Sequence, residues 1–284
     1  MIELGNYNTL RILRSTSIGL FLGDDEGTEV LLPNKYVPED CQVDQDIEVF
    51  CYLDNEERPI ATTLQPLITR NHFAFLKVAE VGEYGAFLDW GLEKHLLVPF
   101  REQGTRMEEG QQYVVHCFMD EKTFRLTASS RIDRFLSNEE VEYETNHEVN
   151  LLVYRKTPLG WEVIIENKYK GLVFESDVFQ PIKIGDRLKG YIKNVRSDHK
   201  IDVSLRPIGA KMLEPTAEAI LILLNENGGF LPLHDKSSPE EIKLQLHLSK
   251  KAFKKGVGIL YRQRKISIED DGIRLVQPNQ QNRL

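Results

Sequence analysis

Gly85-Ala86-Phe87-Leu88, followed by Leu96-Leu97-Val98-Pro99, decides the fold because the pattern occurs three times. Gly19-Leu20-Phe21-Leu22 leads to Val30-Leu31-Leu32-Pro33, and Gly160-Trp161-Glu162-Val163 leads to Gly171-Leu172-Val173-Phe174. Phe21 to Pro33, Phe87 to Pro99 and Glu162 to Phe174 are each twelve positions. Eleven positions further stand Asp44, Gly110 and Gly185, each opening an alternating run such as Tyr113-Val114-Val115. Fixed internal spacing at a period of roughly 65 residues marks tandem modules rather than one large domain.

Within the second module the pattern predicts five short strands: Ala74 to Val81, Tyr84 to Asp89, Leu96 to Val98, Tyr113 to Phe118 and Phe124 to Ser129. Five short strands with glycine punctuation and no long helix suit a small Greek-key barrel. Closure hides the edges that so few strands would expose. Gly85 reads as a bulge or barrel-corner glycine. The fold class is therefore mainly β. Barrels are expected at 1–66, 67–134 and 145–209, with the acidic stretch Asp133 to Glu144 linking the second and third.

The pattern changes after Arg206-Pro207-Ile208-Gly209. Thr216 to Asn225 is apolar at helical spacing, with Pro215 placed for a helix start and Gly228-Gly229 ending it. Phe230 to Leu233 reads as a short strand. Ser238 and Ser249 are placed to cap two further helices, the last reaching about Arg264. Asp270-Asp271-Gly272 turns a terminal hairpin. Residues 210–276 thus read as a small α+β winged helix-turn-helix, and 277–284 as a disordered tail.

The net charge of −8 is unevenly spread. Residues 1–66 hold 4 Lys/Arg against 13 Asp/Glu, a net −9, whereas 210–284 hold 12 against 9, a net +3. Local positive potential matters more than the total for a nucleic-acid binder, which disfavours the first module and favours the C-terminal part. The longest apolar run, Ala219 to Leu224, is far short of the ~20 residues of a membrane span. The N-terminus lacks a basic region and a long apolar region, so no export signal is read. Cys41, Cys51 and Cys117 form no CxxC pair, consistent with a reducing compartment. His116 and Cys117 are adjacent on a strand and point to opposite sides, so they cannot share a metal. There is no phosphate loop and no dinucleotide fingerprint. No enzyme, cofactor or metal is expected.

Small barrels of this kind bind single strands by stacking bases on exposed aromatics flanked by cations. The second module offers Tyr84 and Phe87, with Phe73, Lys77 and Arg125 on nearby segments. Tyr84 and Phe87 are three apart and share a face only if Gly85 is bulged. The alternative is that one or both belong to the core. The third module offers Trp161 with Lys156, Lys193, Arg196 and Lys200 for phosphates. In the last helix Phe253, Val257 and Leu260 share an apolar face, leaving Lys250, Lys251, Lys254, Lys255 and Arg262 largely off it. Such a helix enters a major groove or lies along a phosphate backbone. The bland reading is a solvated basic face.

Tyr84-Gly85-Ala86-Phe87-Leu88 with His95-Leu96-Leu97-Val98-Pro99 resembles the S1 RNA-binding domain, an OB-fold barrel. Three such modules before a winged helix resemble the bacterial conserved virulence factor B family over nearly all of residues 1–276. The resemblance implies a cytoplasmic RNA-binding regulator of gene expression, virulence factors included, acting on single-stranded or structured RNA. The S1 family's base-facing histidine of the third strand is replaced by Leu32, Val98 and Phe174. Ile18 stands where Tyr84 does, and the third module has Leu159 and Glu162 at the two aromatic positions. The first module is expected to bind RNA weakly or to serve as a protein-contact surface. Two alternatives stay open: a DNA-binding transcription regulator acting through the winged helix, and a protein-interaction scaffold of the translation or RNA-decay machinery.

Overall fold

The computed structural model describes residues 1–207, 215–234, 236–246 and 248–276. The tail at 277–284 and the junction at 209–210 lie outside the described residues.

Each module places five strands in one order. The first barrel comprises β1 (Tyr7–Thr16), β2 (Gly19–Gly23), β3 (Glu29–Pro33), β4 (Asp46–Leu53) and β5 (Pro59–Thr62), closed in the order β1-β2-β3-β5-β4. The second comprises β6 (Phe73–Val81), β7 (Gly85–Asp89), β8 (Leu96–Pro99), β9 (Gln112–Met119) and β10 (Leu126–Ser129). Its sheet runs β10-β9-β6-β7-β8, and β10 lies beside β8 without a continuous ladder. The third comprises β11 (Glu148–Thr157), β12 (Gly160–Ile165), β13 (Tyr169–Phe174), β14 (Arg187–Val195) and β15 (Ile201–Ser204), closed like the first.

The repeated residues have repeated causes. A Cβ on Gly19, Gly85 or Gly160 would lie 2.1 Å from the carbonyl oxygen of Leu32, Val98 or Val173, so only glycine lets these two strands approach. Asp44, Gly110 and Gly185 all take positive φ, at 72°, 80° and 94°. Their amides donate to Ile12, Val78 and Val153 in the first strand of each barrel, at 2.8, 2.9 and 2.8 Å. The spacing predicts a bulge at Gly85. The structure puts it one strand earlier, between Ile12 and Arg14, Val78 and Glu80, and Val153 and Arg155. The register around Gly85 is regular, with Gly85 opposite Pro99 and Ala86 opposite Val98.

The barrels are not independent beads. Val49 and Cys51 of β4 fill the first barrel's core, while Phe50 and Tyr52, on the other face of the same strand, join the second barrel's core. There Phe50 and Tyr52 meet Trp90 edge-on, with ring centroids 5.7 and 6.2 Å apart. Val115 and Cys117 of β9 likewise face the second core, and Leu151 and Val153 of β11 the third. Val114 from β9, Leu152 and Tyr154 from β11, and Ile164 from β12 close a separate cluster with Phe73 and Ile132. His116 lies in that cluster, 4.5 Å from the Phe73 ring and 4.0 Å from Phe135. Its burial pushes the imidazole pKa down to about 4. The neighbouring Cys117 faces the barrel core instead, where burial pushes its thiol up to about 12. The acidic stretch after Asp133 is no loose tether. Asp133 accepts from Tyr154 (2.9 Å), Arg155 (2.9 Å) and Lys170 (2.7 Å), and Asn138 donates to the carbonyls of Lys170 and His199.

The C-terminal unit holds α1 (Pro215–Glu226), β16 (Phe230–Leu231), α2 (Pro239–Leu246), α3 (Lys250–Arg262), β17 (Ile266–Glu269) and β18 (Gly272–Leu275). Its sheet has the order β16-β18-β17. Ser238 and Glu241 form a reciprocal capping box at α2, at 3.2 and 2.8 Å, and Ser249 caps α3 through the Ala252 amide at 3.2 Å. Phe253 and Leu260 of α3 are buried against Ala217, Ile220 and Leu224 of α1. This is the winged-helix arrangement expected from the sequence.

Candidate nucleic-acid interface

Tyr84 stands at the lip of a cleft of about 810 Å³ between the first and second barrels. It precedes β7, so strand alternation does not govern it. The amide of Gly82 donates to the Gly85 carbonyl at 2.9 Å, closing a tight turn. That turn leaves Tyr84 69% exposed. Phe87 lies outward on β7 while Ala86 and Leu88 face the core, and both Tyr84 and Phe87 line the cleft. They share a face without a bulge between them.

Phe100 and Arg101 line the same cleft, from the short helical turn Phe100–Glu102 that follows β8. The Arg106 guanidinium lies 3.6 Å from the Phe100 ring centroid. Arg101 is 64% exposed and pairs with Asp120 at 2.8 Å. Arg125 lines the cleft too and pairs with Glu57 of the first barrel. The Lys94 ammonium donates to the Asp54 carbonyl at 2.6 Å, and burial lowers its pKa. The cleft therefore combines aromatic faces with cations, the arrangement that binds bases and phosphates together. Sequence reasoning missed Phe100, Arg101 and Arg106. Phe100 follows the repeat's closing Pro99, but Asn34 and Glu175 stand at the same place in the other modules, so the repeat carried no signal for it.

One residue of the sequence-based site is corrected, and a second lies apart from the cleft. Phe73 is 3% exposed, packed on His116, with its amide donating to Asn167 at 2.9 Å and its carbonyl accepting from Arg187 at 2.9 Å. It joins the second barrel to the third and offers no face to a base. Lys77 is exposed but stands opposite Asp89 and beside Glu109, away from the cleft. The third-strand assignment is corrected as well. Leu32 and Val98 are fully buried, and their register equivalent is Val173 rather than Phe174. The outward neighbours are Leu31, Leu97 and Leu172.

The third barrel's cations are present but engaged. Lys156 lies 4.8 Å from the Trp161 ring centroid and 3.7 Å from Glu175. Lys193 pairs with Asp177, Arg196 with Asp202 and Lys200 with Asp198, each at 2.8 Å. Where Phe87 would be, Glu162 takes Arg155 and Lys170. Burial opposes its charge, yet those two partners hold its carboxyl below the usual range. On α3, Lys251, Lys254, Lys255 and Arg262 are exposed and Lys250 is half-buried, away from buried Phe253, Gly256 and Leu260. The Arg262 guanidinium donates to the Gly258 carbonyl at 3.1 Å.

Among the described residues, no group of three or more His, Cys, Asp or Glu side chains is placed to hold a metal ion. No described helix is long and apolar enough to cross a membrane.

Residues 4–64 match the S1 domain family and residues 218–275 the CvfB-like winged helix domain. The chain is 29% identical to uncharacterized protein YitL of Bacillus subtilis (strain 168), covering 94% of this chain and 91% of that one. It is 27% identical to conserved virulence factor B of Staphylococcus aureus (strain N315), covering 96% and 94%. A solved multidomain protein with nucleic acid binding domains from Streptococcus pneumoniae TIGR4 is 27% identical over 96% of this chain and 98% of that chain, with a TM-score of 0.42. The class that the barrels and winged helix define is that of proteins built from nucleic-acid-binding domain types. More particularly, the chain carries an S1 domain and a CvfB-like winged helix domain, and it is similar over nearly its whole length to proteins named conserved virulence factor B.

Proposed function

We propose that this protein binds single-stranded RNA and regulates gene expression after transcription, in the cytoplasm, virulence genes being included by kinship. The observation that carries the reading is the exposed Tyr84 beside Phe87 in a cleft that also holds Arg101 and Arg125. Bases stack on the two rings, and the guanidiniums exchange their carboxylate partners for phosphates. Stacking and ion pairing supply the affinity, so no cofactor enters. The third barrel extends the phosphate track through Trp161, Lys156, Lys193, Arg196 and Lys200. The basic side of α3 adds Lys250, Lys251, Lys254, Lys255 and Arg262 for structured RNA.

Replacing a stacked aromatic by alanine removes ~1–3 kcal/mol of binding. A Tyr84→Ala, Phe87→Ala protein that folds normally and keeps its full RNA affinity would remove the cleft from the site.

A second reading has its own observation, the run of exposed lysines on α3. In it the winged helix binds duplex DNA and the barrels serve assembly. Lysines suit phosphates better than base edges, which Arg, Asn and Gln read with paired hydrogen bonds. A duplex-DNA preference lost on changing Lys250, Lys251 and Lys254 would favour it.

A further inference from the structure

The aromatic wall of the cleft belongs to the second barrel, and the opposite wall belongs to the first. Tyr52, Asn55 and Glu57 line that opposite wall. Tyr52 lies near the end of β4, and the turn that carries Asn55 and Glu57 is held together by Asp54. Asp54 Oδ1 accepts the amides of Glu56 and Arg58 at 2.8 and 2.9 Å, and Oδ2 accepts two guanidinium bonds from Arg58 at 3.0 and 2.8 Å. The Lys94 ammonium ties the Asp54 carbonyl to the second barrel. Glu57 sits at the corner of this turn with φ 65°, and its carboxylate reaches across to Arg125. Glu56, one residue earlier, pairs instead with Arg58 of its own turn at 2.9 Å and does not line the cleft.

A carboxylate and a phosphate present the same kind of acceptor oxygens to a guanidinium. The Arg125 and Glu57 side chains are 50% and 48% exposed. A pair so exposed is weak, so an arriving phosphate can displace the carboxylate. We propose that the first barrel is the second wall of the RNA site, and that Glu57 holds the place of a phosphate on Arg125 until RNA displaces it. The proposal rests on the RNA reading of the cleft. It gives the acidic first barrel a defined part: it does not attract RNA, but keeps Arg125 oriented and sets a threshold that a backbone must exceed.

The test is a double-mutant cycle on the full chain, read as affinity for a labelled mixed-sequence single-stranded RNA. Glu57→Gln should bind about two- to fivefold tighter, the equivalent of a released surface ion pair. That gain should vanish in an Arg125→Gln background, and Glu56→Gln should show none. Equal urea midpoints for Glu57→Gln and the parent confirm that folding is intact. Unchanged or weaker binding by Glu57→Gln would overturn the proposal, as would an equal gain with Arg125→Gln, which marks a general charge effect. Tyr84→Ala in the same assay separates the two claims. If it loses affinity while Glu57→Gln gains none, only the displacement falls. If neither changes affinity, the RNA reading of the cleft falls with it.

Discussion

Gly85 is the residue on which the site's geometry turns. Its missing Cβ lets the turn carrying Tyr84 lie against the end of β8, where a methyl group would meet the Val98 carbonyl at 2.1 Å. Gly85→Ala should therefore cost ~1–3 kcal/mol or more, seen as a lowered urea midpoint, since backbone cannot move aside as a side chain can. His116 makes a second prediction at this scale. Its folded pKa of about 4 lies below the ordinary histidine value of 6.5 because burial disfavours the imidazolium. Between those values the unfolded chain binds more protons, so stability is full above about 6.5 and falls as the pH drops towards 4. The loss between pH 7 and pH 5 should be on the order of 2 kcal/mol, and His116→Phe should abolish it. Urea unfolding of both proteins at the two pH values checks this.

At the scale of elements, strands with two buried faces join the barrels. Phe50→Ala in β4 should cost about 3–5 kcal/mol and should loosen both the first and the second barrel, because its ring belongs to the core of the second. Hydrogen exchange in β2 and β7 should rise together; exchange confined to one barrel would contradict this. The barrels themselves were legible in the sequence, because glycines, closing prolines and left-handed corners recur at fixed spacing. Their joining was not read. Runs such as Val49-Phe50-Cys51-Tyr52 and Val114-Val115-His116-Cys117 break the alternation of a half-buried strand, and that break is the trace of a second buried face. Phe73 was placed in the site for the same reason: an aromatic on an outer barrel face looks available until a neighbouring barrel covers it. Tyr84 and Phe87 stand out in the sequence by residue type; the turn that brings them onto one face is a property of the backbone. Ser249 was legible as a cap, and Ser249→Ala should lower the thermal midpoint of the winged helix by an amount equivalent to ~1 kcal/mol.

For the whole molecule, the charge distribution decides, under the proposed function, how RNA approaches. The first barrel is acidic, many cations of the second and third barrels are paired with carboxylates, and the basic surplus lies in the C-terminal unit. Affinity should thus come from stacking in the cleft as well as from phosphates, and should survive added salt better than purely electrostatic binding. Alanine at Lys250, Lys251 and Lys254 should flatten the salt dependence, while alanine at Tyr84 and Phe87 should lower affinity and leave the slope nearly unchanged. The most direct measurement is the affinity for a labelled single-stranded RNA, the same-sequence DNA and duplex DNA across a salt series, for the parent and for Tyr84→Ala, Phe87→Ala. The account predicts that RNA binds tightest and that the double variant loses at least tenfold at every salt concentration. Duplex DNA binding tightest, or RNA bound equally well by both proteins, would contradict it.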